Sequence, residues 1–295
     1  MKYLKMLLLL IGVSMCVATT AQSLPVKMEE LTAVQFKEAV RKSNQTAIIP
    51  IGVLEKHGAH MPLGTDVYWA REIALRAAEK EYAVVFPWYH FSQINEARHQ
   101  PGTISYSPEL VWRVLQETID ELHRNGFKKI ILLNGHGGNK SFLDHFVYSQ
   151  LAEKRDYAVY WWKASYDKEV VDKAYAITMV DKVNQHAGNR ETSILKAIVP
   201  NLVDTSIANT QSGADLHRLD NLDRRLYTSI WWYARFPNHY AGDGSKANAE
   251  AGEILLGNLV SKFTTVIKEV KEDKNTLRLM KQFYKEAENP LNTKQ

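Results

Sequence analysis

Lys129-Ile130-Ile131-Leu132-Leu133-Asn134-Gly135-His136-Gly137-Gly138-Asn139 decides the fold class of this chain. Its first half is a short apolar run with β-branched residues, the composition of a buried strand. Glycines and a histidine follow at once, and a helical pattern opens at about Lys140. A strand that turns through glycine into a helix is the building unit of an open α/β sheet, and such sheets place their ligands at that turn. A glycine-rich turn before a helix also suits a phosphate. Against that, the dinucleotide spacing and the P-loop Lys-Ser/Thr ending are both absent. A histidine in mid-turn suits a metal better.

Upstream, Thr46-Ala47-Ile48-Ile49-Pro50-Ile51-Gly52 reads as a second buried strand, bounded by turn formers. It runs into Glu55-Lys56-His57-Gly58-Ala59-His60-Met61-Pro62-Leu63-Gly64-Thr65-Asp66. Glu55 and His57 are two residues apart, so in extended backbone their side chains leave on one face. A carboxylate and an imidazole converging at a strand end suit a divalent metal, to which Asp66 returns through the loop. The plainer alternative is a hydrogen-bonded loop in which Glu55 pairs with Lys56.

A third segment, His186-Ala187-Gly188-Asn189-Arg190-Glu191-Thr192-Ser193, leads into the helical run Ile194, Leu195, Ala197, Ile198. Taken alone, Glu191 is a first-turn acid favoured by the helix dipole, and His186 a structural histidine.

Together these segments resemble the creatininase (creatinine amidohydrolase) family. The resemblance rests on Pro50-Ile51-Gly52, Glu55-x-His57-Gly58, His60-x-Pro62-Leu63-Gly64-Thr65-Asp66, Asn134-Gly135-His136-Gly137-Gly138-Asn139 and His186-Ala187-Gly188-x-x-Glu191-Thr192-Ser193, in the family's order. Two weaker stretches add to it. One is His99-Gln100-Pro101-Gly102-Thr103-Ile104-Ser105; the other is Gly242-Asp243-Gly244 with the helix behind it. The similarity spans residues 31–266.

The resemblance implies a two-metal hydrolase. Glu55 and His136 would hold one divalent ion, His57 and Glu191 the other, and Asp66 would bridge them. Two such cations share a water, lower its pKa and polarise a carbonyl, so that a metal-bridging hydroxide attacks the substrate. The mixed nitrogen and oxygen donors suit zinc first, and manganese or iron next. His186 is the implied acid/base, a task for a group titrating near neutrality; its alternative is to orient Glu191. His60 is a candidate substrate contact, as are Trp161 and Trp162. Adjacent aromatics such as Trp231-Trp232-Tyr233 also commonly fill cores or subunit contacts.

The chain departs from creatininase in one place. There the glycine-rich turn carries a ligating Glu two residues after its His, where this chain has Gly138. The Gly-Gly turn resembles the formamide deformylase and peptide-trimming branches, makes Glu191 the natural fifth ligand, and argues against creatinine as substrate. Residues 211–238 match the family least. They are expected to carry specificity or an oligomer contact, and the resemblance suggests a homo-oligomer, often a hexamer.

Composition sets the surroundings. Met1-Lys2-Tyr3-Leu4-Lys5, an apolar run from Met6 to about Ala18 and small residues before Gln22 read as a signal peptide cut after Ala21. The run is short for a membrane span. Cys16 is the only cysteine, and Met15 before it fits a lipoprotein signal poorly. A chain cut after Ala21 has no thiol, which suits export to a bacterial periplasm. The net charge of +4 loses the contributions of Lys2 and Lys5, and the remaining cations form no stripe. Nothing asks for nucleic acid or for a membrane once the signal is removed.

Strand-like runs near Ala47 and at 82–86, 129–134 and 157–161 alternate with helical patterns at 34–42, 69–81, 108–125, 141–154 and 247–270. Residues 268–281, rich in both charge signs, read as a solvated helix face. The expectation is one domain over residues 22–295. Its fold would be a three-layer α/β/α arrangement with a mostly parallel central sheet. The expected activity is a secreted, metal-dependent amidohydrolase cleaving a non-peptide C–N bond in a small-molecule cyclic amide or formamide. The alternatives are a metallopeptidase trimming a small peptide and a non-catalytic periplasmic ligand-binding protein.

Overall fold

Strand β1 (Thr46–Ile51) lies beside β3 (Lys129–Asn134), parallel and in register from Thr46 opposite Lys129 to Ile51 opposite Asn134. The computed structural model describes residues 24–179, 186–223 and 225–293; the expected signal peptide and Cys16 lie outside them. β2 (Val84–Val85) flanks β1, and β4 (Ala158–Trp162) flanks β3, both parallel, giving the order β2-β1-β3-β4. The chain steps from β1 outward to β2, then crosses back to lay β3 on β1's other side. A crevice opens outside the strand ends where the order reverses. Here it opens between β1 and β3.

Pro50 explains why β2 is short. The Ile48 carbonyl accepts from the N–H of Phe86, so the nitrogen of Pro50 faces the same side, with no hydrogen to donate. On β1, β2 pairs with Ala47 and Ile48 alone.

Side chains of the central strands alternate between two cores. Ala47, Ile49, Ile51, Ile130 and Leu132 pack with Leu115, Ile119, Leu143 and Phe146. These last belong to α3 (Pro108–Arg124) and α4 (Lys140–Ser149). Ile48, Ile131 and Leu133 face the opposite layer and meet Ile73, Ala77, Leu256 and Phe263. That layer is α2 (Thr65–Lys80) and α8 (Ala249–Glu272). The structure therefore has the expected parallel sheet between helical layers. α1 (Ala33–Lys42) opens on a capping box between Thr32 and Gln35. α5 (Lys168–Thr178) and α6 (Asn189–Ile198) pack on α8, and α7 (Trp231–Arg235) touches the 3-10 turn Asn95–Ala97. The mixed-charge stretch expected as one helix face divides at Asp273 into the end of α8 and the start of α9 (Asn275–Ala287).

Two glycines bring α2 onto the carboxyl edge of the sheet. A Cβ on Gly52 would stand 2.6 Å from the Val67 nitrogen, and one on Gly135 2.3 Å from the Asp66 carbonyl oxygen. Both are closer than atoms can approach, so only glycine allows the first turn of α2 to rest there. Asp66 thus sits in that first turn rather than in the loop the sequence suggested.

Candidate metal centre

The turns after β1 and β3 meet because their strands are neighbours. Glu55 and His57 leave the first turn, and His136 leaves the second. The Asn134 side chain fixes this second turn, donating to the His136 carbonyl (2.6 Å) and accepting from the His136 N–H (3.2 Å) and from Asn139 (3.0 Å). Asp66 enters from α2. Its Oδ1 lies 3.1 Å from His57 Nε2 and its Oδ2 3.1 Å from His136 Nδ1. Glu55 Oε1 lies 2.8 Å from His136 Nδ1 and 3.8 Å from His57 Nε2. All four residues are buried.

Glu191, in the first turn of α6, accepts the Ala187 N–H at 2.6 Å and approaches His186 Nδ1 at 4.0 Å. His186 Nε2 lies 3.0 Å from the Lys56 carbonyl, an oxygen that only accepts, so Nε2 carries the hydrogen and Nδ1 keeps a lone pair. Its ring stacks obliquely on His57, centroids 4.3 Å apart.

Sequence reasoning missed His239. His186 and Ala241 exchange two backbone hydrogen bonds (3.1 and 2.9 Å), an antiparallel bridge that carries His239 into the site. There its Nε2 meets Glu55 Oε2, while its Nδ1 accepts from Trp232 Nε1 at 2.8 Å. The indole has only a hydrogen to give, so His239 Nε2–H is the donor to Glu55. Glu96 was missed as well; its Oε1 lies 3.6 Å from His136 Nε2. Neither residue belongs to a local motif that would have pointed to it.

The other candidates divide. His60 is buried at the site's edge, its Nε2 3.0 Å from Thr192 Oγ1, and does not line the cavity. Trp161 and Trp162 are not at the site. They lie on β4, Trp161 against the α3–α4 core and Trp162 stacked on Phe263 of α8 at 4.9 Å. Strand alternation turns them under the two helical layers instead of beyond the strand end. The aromatic walls are Trp231, Trp232 and Tyr227, from the segment expected to carry specificity. With Phe142, Arg98 and Lys140 they enclose a cavity of about 790 Å³ whose floor includes Glu55, Asp66, His136, His186 and Glu191.

Burial works to raise the Glu55 carboxyl, but the charge of His136 and the hydrogen bonds from His136 and His239 overcome it and hold it well below its usual range. Burial likewise opposes the charge on His57, yet Asp66, Glu55 and Glu191 lift its pKa to about 9. His136 is raised against burial by Glu55 and Asp66. His186 goes the other way, lowered by burial and by the neighbouring His57 charge. Burial and the Asp66 charge raise Glu191.

The arrangement fits a metal. Among the described residues Glu55 Oε1 and Asp66 Oδ2 are buried without hydrogen-bond partners, a cost that proteins avoid unless the atoms have another use. Ligand atoms fall within 4.8 Å of one another in three sets: Glu55, His57 and Asp66; His57, His186 and Glu191; Glu55, His186 and His239. No thiolate is among them, so the donors suit zinc, manganese or iron.

The creatinine amidohydrolase family model matches residues 29–267. The chain is 30% identical over 188 residues to the creatinine amidohydrolase of Pseudomonas putida, covering 59% of this chain and 72% of that protein. It is 28% identical over 239 residues to the mycofactocin precursor peptide peptidase of Mycolicibacterium smegmatis, covering 78% and 87%. A solved manganese form of creatininase superposes with a TM-score of 0.67 at 25% identity, covering 84% of this chain and all of the other. With the matched region running through the β1 and β3 turns, α2 and the His186–Glu191 segment, the chain belongs to the creatininase family.

Proposed function

We propose that this protein is a metal-dependent amidohydrolase that cleaves a non-peptide C–N bond in a small-molecule cyclic amide or formamide. The carrying observation is Asp66, whose two oxygens face His57 and His136 separately at 3.1 Å each. A carboxylate so turned suits two divalent ions, one with Glu55 and His136, the other with His57 and Glu191. When bound, such ions activate water and polarise a carbonyl. The chain's own residues do the rest. His186 Nδ1, with its hydrogen-bonded Nε2–H fixed on Lys56, is the atom that takes a proton and returns it to the leaving nitrogen. Trp231, Trp232 and Tyr227 enclose the substrate and thin the water around it.

Metal analysis of the purified protein, beside a screen of amides, tests the reading. Near two ions per chain, with metal-dependent release of an amine, is the expected result. A metal-free protein without turnover overturns it and favours ligand capture. The cavity volume and the peptidase relative favour a second substrate class, a short peptide, which belongs in the same screen. Export to the periplasm after cleavage at Ala21 is part of the proposal, and sequencing the mature N-terminus from a periplasmic extract tests it. Assembly into a homo-oligomer is proposed too, since Leu226, Tyr227 and Ile230 present exposed apolar surface; light scattering reads the molar mass.

A further inference from the structure

Glu96 reaches the site from the 3-10 turn Asn95–Ala97, outside every segment that carries the family resemblance. Its side chain is largely buried and lines the same cavity. His136 presents Nδ1 to Glu55 and Asp66, and that leaves Nε2 on the opposite edge of the ring, buried, with Glu96 Oε1 3.6 Å away. A ring that offers Nδ1 to a cation as a lone pair must carry its hydrogen on Nε2.

We propose that Glu96 is a positioning residue: its carboxylate takes the Nε2–H of His136 and so fixes which nitrogen faces Glu55 and Asp66. The inference rests on the metal reading of the site. Carboxylates that hold the far nitrogen of a ligating histidine set its tautomer and ring orientation and raise its basicity.

Gly138 makes the pairing possible. A Cβ at that position would stand 2.4 Å from Glu96 Oε1 and 2.4 Å from His136 Nε2. Any side chain there would enter the space between the two groups, so the glycine keeps open the path along which they meet. Gln93 borders the same gap and reaches the carboxylate. Its Nε2 lies 3.5 Å from Glu96 Oε1 and 3.4 Å from the Gly138 carbonyl, tying the Glu96 loop to the His136 turn. Asn95 adds rigidity, donating its N–H to Gln93 Oε1 at 2.7 Å and accepting from Ser105 at 2.8 Å. The departure at Gly138 thus coincides with an acid supplied from a different part of the chain.

The test is metal binding by the mature full chain, stripped by chelator and titrated with zinc or manganese. Wild type is compared with Glu96→Ala and Glu96→Gln. Glu96→Ala is expected to bind as many ions as wild type, with affinity about 10–100-fold lower. Glu96→Gln, whose amide oxygen still accepts from Nε2–H, is expected to recover much of that loss. Melting of the stripped proteins checks that the fold is kept. Unchanged affinity in Glu96→Ala, beside a wild type that binds metal, overturns this inference alone. Loss of a whole equivalent also overturns it, because Glu96 would then be a ligand itself. A wild type that binds no metal overturns the proposed function and this inference with it.

Discussion

Glu55 and His239 stand 184 residues apart in the chain, yet meet carboxylate to imidazole in the buried floor of the cavity. Trp232 fixes the direction of the contact by donating to the other ring nitrogen at 2.8 Å. The carboxylate is fully buried, so the histidine supplies hydrogen bonding that water cannot. His239→Ala should therefore destabilise the metal-free protein by about 1–3 kcal/mol, the cost of removing a hydrogen bond to a buried charged group. His239→Gln, which still offers an N–H, should lose less. Urea unfolding of the three stripped proteins measures both, and equal midpoints would show that Glu55 does not depend on His239.

That contact also marks where the sequence stops being legible. Glu55, His57 and His136 could be read because each follows a buried strand through a turn, and strand and turn chemistry are local. The strand pattern likewise foretold the parallel sheet. Asp66 was legible as a candidate but not in its place. Pro62 and Gly64 punctuate the segment as a loop, and Gly64 caps α2 without a side-chain hydrogen bond, so no capping residue announces the helix. His239 and Glu96 carry no local signal at all. One is delivered by the pairing of His186 with Ala241, the other by Gln93 bridging to the His136 turn. Trp161 and Trp162 show the converse. The strand was read correctly, but its alternation sends both side chains into the cores.

Asp66 is the acid with most to lose by substitution. Its two oxygens serve two histidines from one side chain, so no neighbour can replace it without moving α2 off Gly52 and Gly135. Asp66→Ala should lose both ions together and with them turnover, whereas Glu191→Ala should lose one. Elemental analysis of the two variants beside wild type separates these outcomes. Full metal content with full turnover in Asp66→Ala would end its bridging role.

His186 is expected to act on the proton rather than on the metal. Its Nδ1 lone pair lies 4.0 Å from Glu191, and the ring is packed between His57 and Trp232. His186→Ala should keep the metal content of wild type and lower kcat by about 10²–10⁴-fold, the usual contribution of a placed acid/base group. If the variant instead loses metal while each bound ion turns over at the normal rate, His186 is a ligand or a support and the proton passes elsewhere.

His60 supplies a dependence on pH that is independent of turnover. Thr192 Oγ1 can donate to the Ala187 carbonyl (3.1 Å) while accepting from His60 Nε2–H (3.0 Å), and His60 Nδ1 is buried with no partner among the described residues. Protonation would add a hydrogen at Nδ1 that nothing accepts. Burial, aided by the His57 charge, accordingly lowers the His60 pKa from 6.5 to about 4. The sign follows from linkage. Between those values the unfolded chain binds the proton and the folded chain does not, so the stability His60 allows at neutral pH is lost as pH falls from 6.5 towards 4. From this one group the loss approaches about 1.4 kcal/mol per pH unit. In His60→Gln that contribution is absent, so the stability of the variant should fall less steeply across the same window. Urea unfolding of the metal-free proteins at pH 7, about 5.5 and about 4.5 measures the two slopes. Parallel slopes would mean that His60 takes up its proton as readily in the folded chain as in the unfolded one.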